Sequence, residues 1–184
     1  MNALSGALLQ RVLFSAVATL LGVAAALLQL GATPLWLDQP LAAPVLPLIV
    51  IAGWGAARGL GEAVPAAILA ASVLGVASEE RAGWFLLAML PTAALLLPAA
   101  ALRSWERLLL APLAAGLGVL AFQAMMRFSS GLGALSAEQQ SALIEGATWT
   151  AVPALALTVI LAAGGWTLQW RPTVDPDEHR RLFE

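Results

Sequence analysis

Residues 41–77 read LAAPVLPLIVIAGWGAARGLGEAVPAAILAASVLGVA, and within that run only Arg58 and Glu62 carry charge. A helix crosses the hydrocarbon of a bilayer with about 20 consecutive apolar residues, so the run is too long for one crossing and fits two. Arg58 and the glycines around it are the only separators, which predicts one membrane segment over Leu41 to Ala57 and another over Gly59 to Ala77. The same ruler, carried outward, marks four more segments: Val12 to Leu30, Ala82 to Leu102, Leu108 to Met126 and Ala147 to Leu168. Arg11 before the first of these and Gly31-Ala32 after it give the outline of a signal peptide. The apolar stretch is too long for that, and no convincing small-residue cleavage pattern closes it.

Composition agrees with lipid as the solvent. The chain has 184 residues, 60% of them hydrophobic and 11% charged, with a mean hydropathy of +0.86. No soluble domain of this size could bury that much apolar surface in one core. The expected fold is therefore an all-α integral membrane bundle of six transmembrane helices over residues 1–170, followed by a polar cytoplasmic tail over 171–184.

Arginine placement gives the orientation, because short cytoplasmic loops retain positive charge during insertion. With the N-terminus inside, Arg11, Arg58, Arg103, Arg107, Arg171, Arg180 and Arg181 fall in the cytoplasm and only Arg81 and Arg127 fall outside. Both ends are thus expected to be cytoplasmic. Asp38, Glu79, Glu80, Glu138 and Glu145 fall in the outer loops, and Trp36, Trp84, Trp105, Trp149, Trp166 and Trp170 sit near segment ends, where the interfacial belt favours them. In the long outer loop, Ser136 and Gln139 have capping-box spacing ahead of Ala142, Leu143 and Ile144, which predicts a short interfacial helix. Prolines within or beside every segment but the first predict kinks.

Ionisable groups at membrane depth are costly and mark function by default, and this chain has few. Glu62 follows Arg58 by four residues, the spacing of an interfacial ion pair on one helix face. Gln123 and Arg127 lie one turn apart at the outer end of the fifth segment. They can face an interior polar pocket together, or serve as interhelical glue and a cation snorkelling to the surface. Glu79 and Glu80 are adjacent, point in different directions and have no further ligands nearby, which suits a solvated turn better than a cation or acid/base site. There is no cysteine, and the single histidine, His179, lies in the tail. No nucleophile–base constellation or metal cluster can be assembled, so an enzyme and a cofactor are not expected. A net charge of -2 without clustered positive charge gives nucleic acid no surface to bind.

The most regular feature is a ridge of small residues in the third segment: Gly59, Ala63, Ala67, Ala71 and Gly75, four apart, continuing to Glu79. Small residues at this spacing let another helix approach closely, whether from this chain or from a partner. Ala111, Ala114, Ala115 and Gly118 offer a similar face in the fifth segment.

In layout the chain resembles the rod shape-determining protein MreD family of small six-helix bacterial inner-membrane proteins with both ends cytoplasmic. The elements that carry the resemblance are Pro44-Val45-Leu46-Pro47-Leu48, Arg58-Gly59, the ridge to Gly75, Glu79 and Gly83-Trp84-Phe85, over roughly residues 10–126. Val45 stands where the family usually has Asp, and Gly75 stands where its acidic residue usually falls. The resemblance implies a non-catalytic membrane component of the peptidoglycan elongation machinery, associated with an MreC-like bitopic partner and through it the peptidoglycan synthase pair. Arg58, Gly59, Ala63, Ala67, Ala71, Gly75 and Glu79 would then be candidate packing or partner residues. The substrate-binding membrane subunit of an energy-coupling-factor vitamin transporter is similar in size and helix count, with Trp36, Trp84, Gln123, Arg127 and Trp149 available near its outer end.

Overall fold

The computed structural model describes residues 2–78, 82–131 and 134–166. Among these there are six α-helices and no strand: α1 (Asn2–Ala32), α2 (Leu46–Arg58), α3 (Leu60–Ala77), α4 (Ala82–Leu95), α5 (Ser104–Ser129) and α6 (Ala137–Ala163). All but α2 are long and apolar enough to cross a membrane, α4 when taken together with the 3-10 turn Leu97–Ala101 that follows it. Leucines and isoleucines such as Leu13, Leu20, Leu28, Leu113 and Ile160 point outward on these helices. That arrangement suits lipid as the surrounding medium.

Around the bundle α1 packs on α3, α3 on α4, α4 on α5 and α5 on α6, while α2 runs through the middle and touches all five. The thirteen residues of α2 span about 20 Å at 1.5 Å per residue, well short of the roughly 30 Å of a hydrocarbon core. A lipid-facing helix of that length would leave a mismatch. This one is shielded by its neighbours, and Leu48, Ile51, Ala52 and Ala56 have no exposed surface.

Close approach is achieved through glycines at the crossings. A Cβ on Gly53 of α2 would stand 2.9 Å from the Ala154 carbonyl oxygen of α6, and one on Gly22 of α1 would stand 3.0 Å from the Ala66 Cβ of α3. On α5, a Cβ at Gly118 would run into the Thr92 hydroxyl of α4. Small residues thus let the backbones approach within the chain itself.

The segment boundaries differ from the hydropathy reading where local chemistry intervenes. The second helix starts at Leu46 and not Leu41, because Pro44 disfavours helical backbone at the residue before it and Pro47, which lacks an N–H and would clash with the carbonyl four residues back, is tolerated only in a helix's first turn. Segment four ends its α-helix at Leu95 and continues as a 3-10 turn around Pro98. The fifth helix begins at Ser104, four residues before Leu108, where the Arg103 backbone N–H donates to Glu106 Oε2 at 2.7 Å. The expected interfacial helix is not separate. Ser136 and Gln139 form the capping box, and the helix they start runs unbroken into the sixth span, so α6 begins at Ala137 instead of Ala147.

At its other end α6 stops at Ala163 rather than Leu168. Gly165 takes φ +68°, the Gly165 N–H donates to the Ala162 carbonyl and the Trp166 N–H to the Leu161 carbonyl, a Schellman ending that only a left-handed residue permits. The first helix is longer than expected, starting at Asn2, since the Ala- and Leu-rich stretch ahead of Val12 has high helix propensity. The third keeps its predicted extent to within one residue. The tail, with Arg171, Arg180, Arg181 and His179, lies outside the described residues.

Candidate functional site

Among the described residues, polar groups gather at each end of α2. At the C-terminal end, Gly59 takes φ +94° and turns the chain from α2 into α3. This conformation puts Arg58 and Glu62 on the same side of the corner. The ion pair that their spacing predicts is present and is buried: Arg58 Nε donates to Glu62 Oε2 at 2.6 Å and Nη2 to Oε1 at 2.9 Å. Trp54 Nε1 adds a third donor to the same carboxylate, 3.3 Å from Oε2. The remaining Arg58 donor, Nη1, goes to the Trp166 carbonyl just past α6, and the guanidinium lies 3.7 Å from the centre of the Phe14 ring of α1. One side chain therefore joins α1, α2, α3 and the end of α6.

Arg107 of α5 works beside it. Only 4% exposed, it donates from Nε to the Leu102 carbonyl at 3.0 Å, from Nη2 to Ala100 at 3.3 Å and from Nη1 to Ala57 at 3.5 Å. These are carbonyls at or near helix ends, which a cation satisfies better than any neutral donor.

At the opposite end, the connector leading into α2 is not helical and is largely buried, so its backbone groups need partners from elsewhere. The Val45 N–H donates to Thr150 Oγ1 of α6 at 3.0 Å, and the Leu46 N–H to Gln29 Oε1 of α1 at 2.8 Å. Thr150 in turn donates to the Gly146 carbonyl at 2.8 Å. Gly146 itself lets the connector lie against α6, since a Cβ there would meet the carbonyls of Leu41 and Ala43. Further along the same face of α6, Thr158 Oγ1 lies 2.9 Å from the Ala154 carbonyl and 3.2 Å from that of Gly53 in α2.

Beside this connector opens a cleft of about 680 Å³, walled by the 38–41 loop, the last turns of α5 and the first turns of α6. Gln123, Met126 and Arg127 come from α5, and Glu138, Ala142 and Glu145 from α6. Asp38, Glu138 and Glu145 are exposed at its rim, whereas Leu41, Gln123, Met126, Arg127 and Ala142 are half-buried. Glu145 is held by Trp149, whose Nε1 donates to its Oε1 at 3.3 Å.

The structure thus brings Arg58 and Gly59 together at one corner and Gln123 and Arg127 together in one cleft. On the ridge, Ala63 and Ala71 have no exposed surface, Ala67 is half-buried, and a Cβ on Gly75 would meet the Ala82 backbone at the start of α4. Among the described residues α3 packs against α1, α2 and α4 of this same chain. Glu79 lies outside the described residues.

Sequence reasoning missed Gln29, Thr150 and Thr158, and missed that Arg107 is buried. A signal existed for the threonines, which lie eight apart and therefore on one helical face, and for Gln29 as a lone amide late in an apolar segment. Among the described residues no group of three His, Cys, Asp or Glu side chains is placed to hold a metal ion. No protein-family model, curated protein or solved structure matches the chain.

Proposed function

We propose that this chain is a non-catalytic component of the bacterial cell-elongation complex in the inner membrane, binding an MreC-like bitopic partner. The supporting observation is the Arg58-Gly59 corner. These two residues are among the elements that carry the resemblance to the MreD layout, and here they form the joint where four helices meet. Polar groups elsewhere, the half-buried Gln29 and the buried Thr150, Thr158 and Arg107, also fasten helix to helix or helix to connector. A frame fastened in this way suits a protein that presents a fixed surface to partners. Co-expression with an MreC-like protein and capture from nanodiscs tests it. Recovery above that of an unrelated membrane protein is expected, and recovery no greater than that control counts against the reading.

The cleft at the Asp38 end favours a second reading, a solute-binding membrane subunit of the energy-coupling-factor type. A volume of about 680 Å³ falls in the range typical of small-molecule sites. Under this reading a vitamin at saturating concentration raises the melting temperature, because a ligand that binds the folded state stabilises it by mass action. A vitamin screen in which no compound shifts the melt excludes it.

A further inference from the structure

The cleft has a chemical character that neither reading of the chain's role specifies. Among the described residues, Asp38, Glu138 and Glu145 bring three carboxylates to its rim, and Arg127 is the cation that lines it. Whatever Arg127 engages, it balances one carboxylate, and the lining keeps an excess of negative charge. A cleft lined by one sign of charge, with low-dielectric walls beneath it, concentrates counter-charge from solution.

That counter-charge could be a metal ion or an organic cation, and geometry separates the two. Calcium and magnesium need six or more oxygens converging at about 2.0–2.6 Å. The carboxylates here are spread around the rim, and among the described residues no three acidic or metal-ligating side chains cluster closely enough to hold an ion. The volume is also many times that of an ion. A molecule with an ammonium group and an apolar body fits both features, with the ammonium among the rim carboxylates and the body on Leu41, Met126 and Ala142. Met126 suits such a body, since an unbranched thioether side chain adapts to varied shapes. The Thr150 bond to the Val45 N–H ties down the connector that follows the 38–41 wall, and Trp149 donates to Glu145 at the rim; contacts already made in the free protein lower the ordering cost of binding.

We infer that this cleft binds an organic cation, an ammonium-bearing molecule with an apolar portion. The inference names a ligand class for the solute-binding reading and holds equally if the chain is a scaffold. Two sources share this chemistry, a water-soluble amine and the headgroup of an ethanolamine phospholipid.

The test uses the full chain in phosphatidylglycerol nanodiscs, titrated calorimetrically with 2-phenylethylamine and agmatine, and with 2-phenylethanol and phenylacetate as matched neutral and anionic probes. The amines are expected to bind more tightly than the matched probes, with affinity falling as salt rises. The variant D38N/E145Q is expected to bind amines about tenfold more weakly or worse, the range for losing hydrogen bonds to a charged group. Both changes are isosteric and exposed, and the Gln oxygen still accepts from Trp149; E138Q provides a second variant should the double one fold poorly.

Adding phosphatidylethanolamine to the discs separates the sources. Competition with the soluble amine assigns the site to the lipid headgroup, and undiminished amine binding assigns it to a solute. Tighter binding of phenylethanol or phenylacetate than of the amine overturns the cation assignment while leaving solute binding intact. Amine affinity unchanged in both D38N/E145Q and E138Q overturns the site, and binding of none of the probes overturns the inference.

Discussion

Arg58 is placed where it costs most to disturb. A bidentate ion pair with Glu62, both partners buried, is fully satisfied only while each partner remains, because either charge left alone in that environment has no water to replace the other. Glu62→Ala is therefore expected to destabilise the protein by about 3–5 kcal/mol, read as a lowered midpoint in detergent unfolding followed by circular dichroism. Arg58→Met/Glu62→Leu should recover most of that loss, since it removes both charges and keeps the volume. A double variant as unstable as Glu62→Ala would show that the Trp166 and Phe14 contacts dominate instead. Gly118 provides an independent test of packing. Thr92 Oγ1 is buried against it with no hydrogen-bond partner among the described residues, so Gly118→Ala forces a methyl group onto the hydroxyl. A loss of about 1–3 kcal/mol is expected, restored largely by Thr92→Ala in the same chain. Restoration should be absent if the methyl is instead obstructed by Leu48 of α2, 3.5 Å from the same Cβ position.

Among the elements, α2 is the one whose position depends on others. It is too short to meet lipid along its length, it begins in a buried non-helical connector, and its first N–H groups are satisfied from α1 and α6. Thr150→Val keeps the shape of the side chain and removes the acceptor, leaving the Val45 N–H unpaired. A cost of about 1–3 kcal/mol is expected in the same unfolding measurement, and Thr150→Ser, which retains the oxygen, should avoid most of it. Equal losses from both variants would mean that the methyl, not the hydroxyl, is what the site needs. This element also shows how much could be read in the sequence. Six apolar helices and the Arg58 turn were visible because hydropathy is local and glycines flank the arginine. The centrality of α2 was not visible, since its composition resembles that of α3 and only long-range contacts distinguish a hub from a rim. Pro44 and Pro47 did announce a late helix start, but the apolar residues before them read equally well as membrane span. The cleft was visible only as Gln123 and Arg127 one turn apart, because Asp38, Glu138 and Glu145 come from distant stretches of chain.

For the whole molecule, the structure sharpens what the arginine count means. Arg58, Arg103 and Arg107 gather at one end of the bundle, and Arg127 lines the cleft at the other. Arg58 and Arg107 are buried and spend their donors on carboxylate and carbonyl oxygens, so in the folded protein they are not free surface charge. Their effect on orientation does not depend on that final state. Insertion acts on loops before the helices have packed, when each arginine still opposes translocation. The Arg103 end is accordingly expected to face the cytoplasm even though Arg58 and Arg107 are later sequestered. The chain has no cysteine, so a single introduced thiol reports one position unambiguously. Arg103 and Gln140 are both exposed, at opposite ends. In intact cells a membrane-impermeant maleimide should label Gln140→Cys, and Arg103→Cys should react only after permeabilisation. Because Arg103→Cys itself removes a charge, Leu35→Cys, exposed near the cleft end and charge-neutral, should label like Gln140→Cys. Labelling of Arg103→Cys from outside, with both cleft-end sites protected, would invert the molecule and turn the cleft toward the cytoplasm, where an organic cation would have to reach it from within the cell.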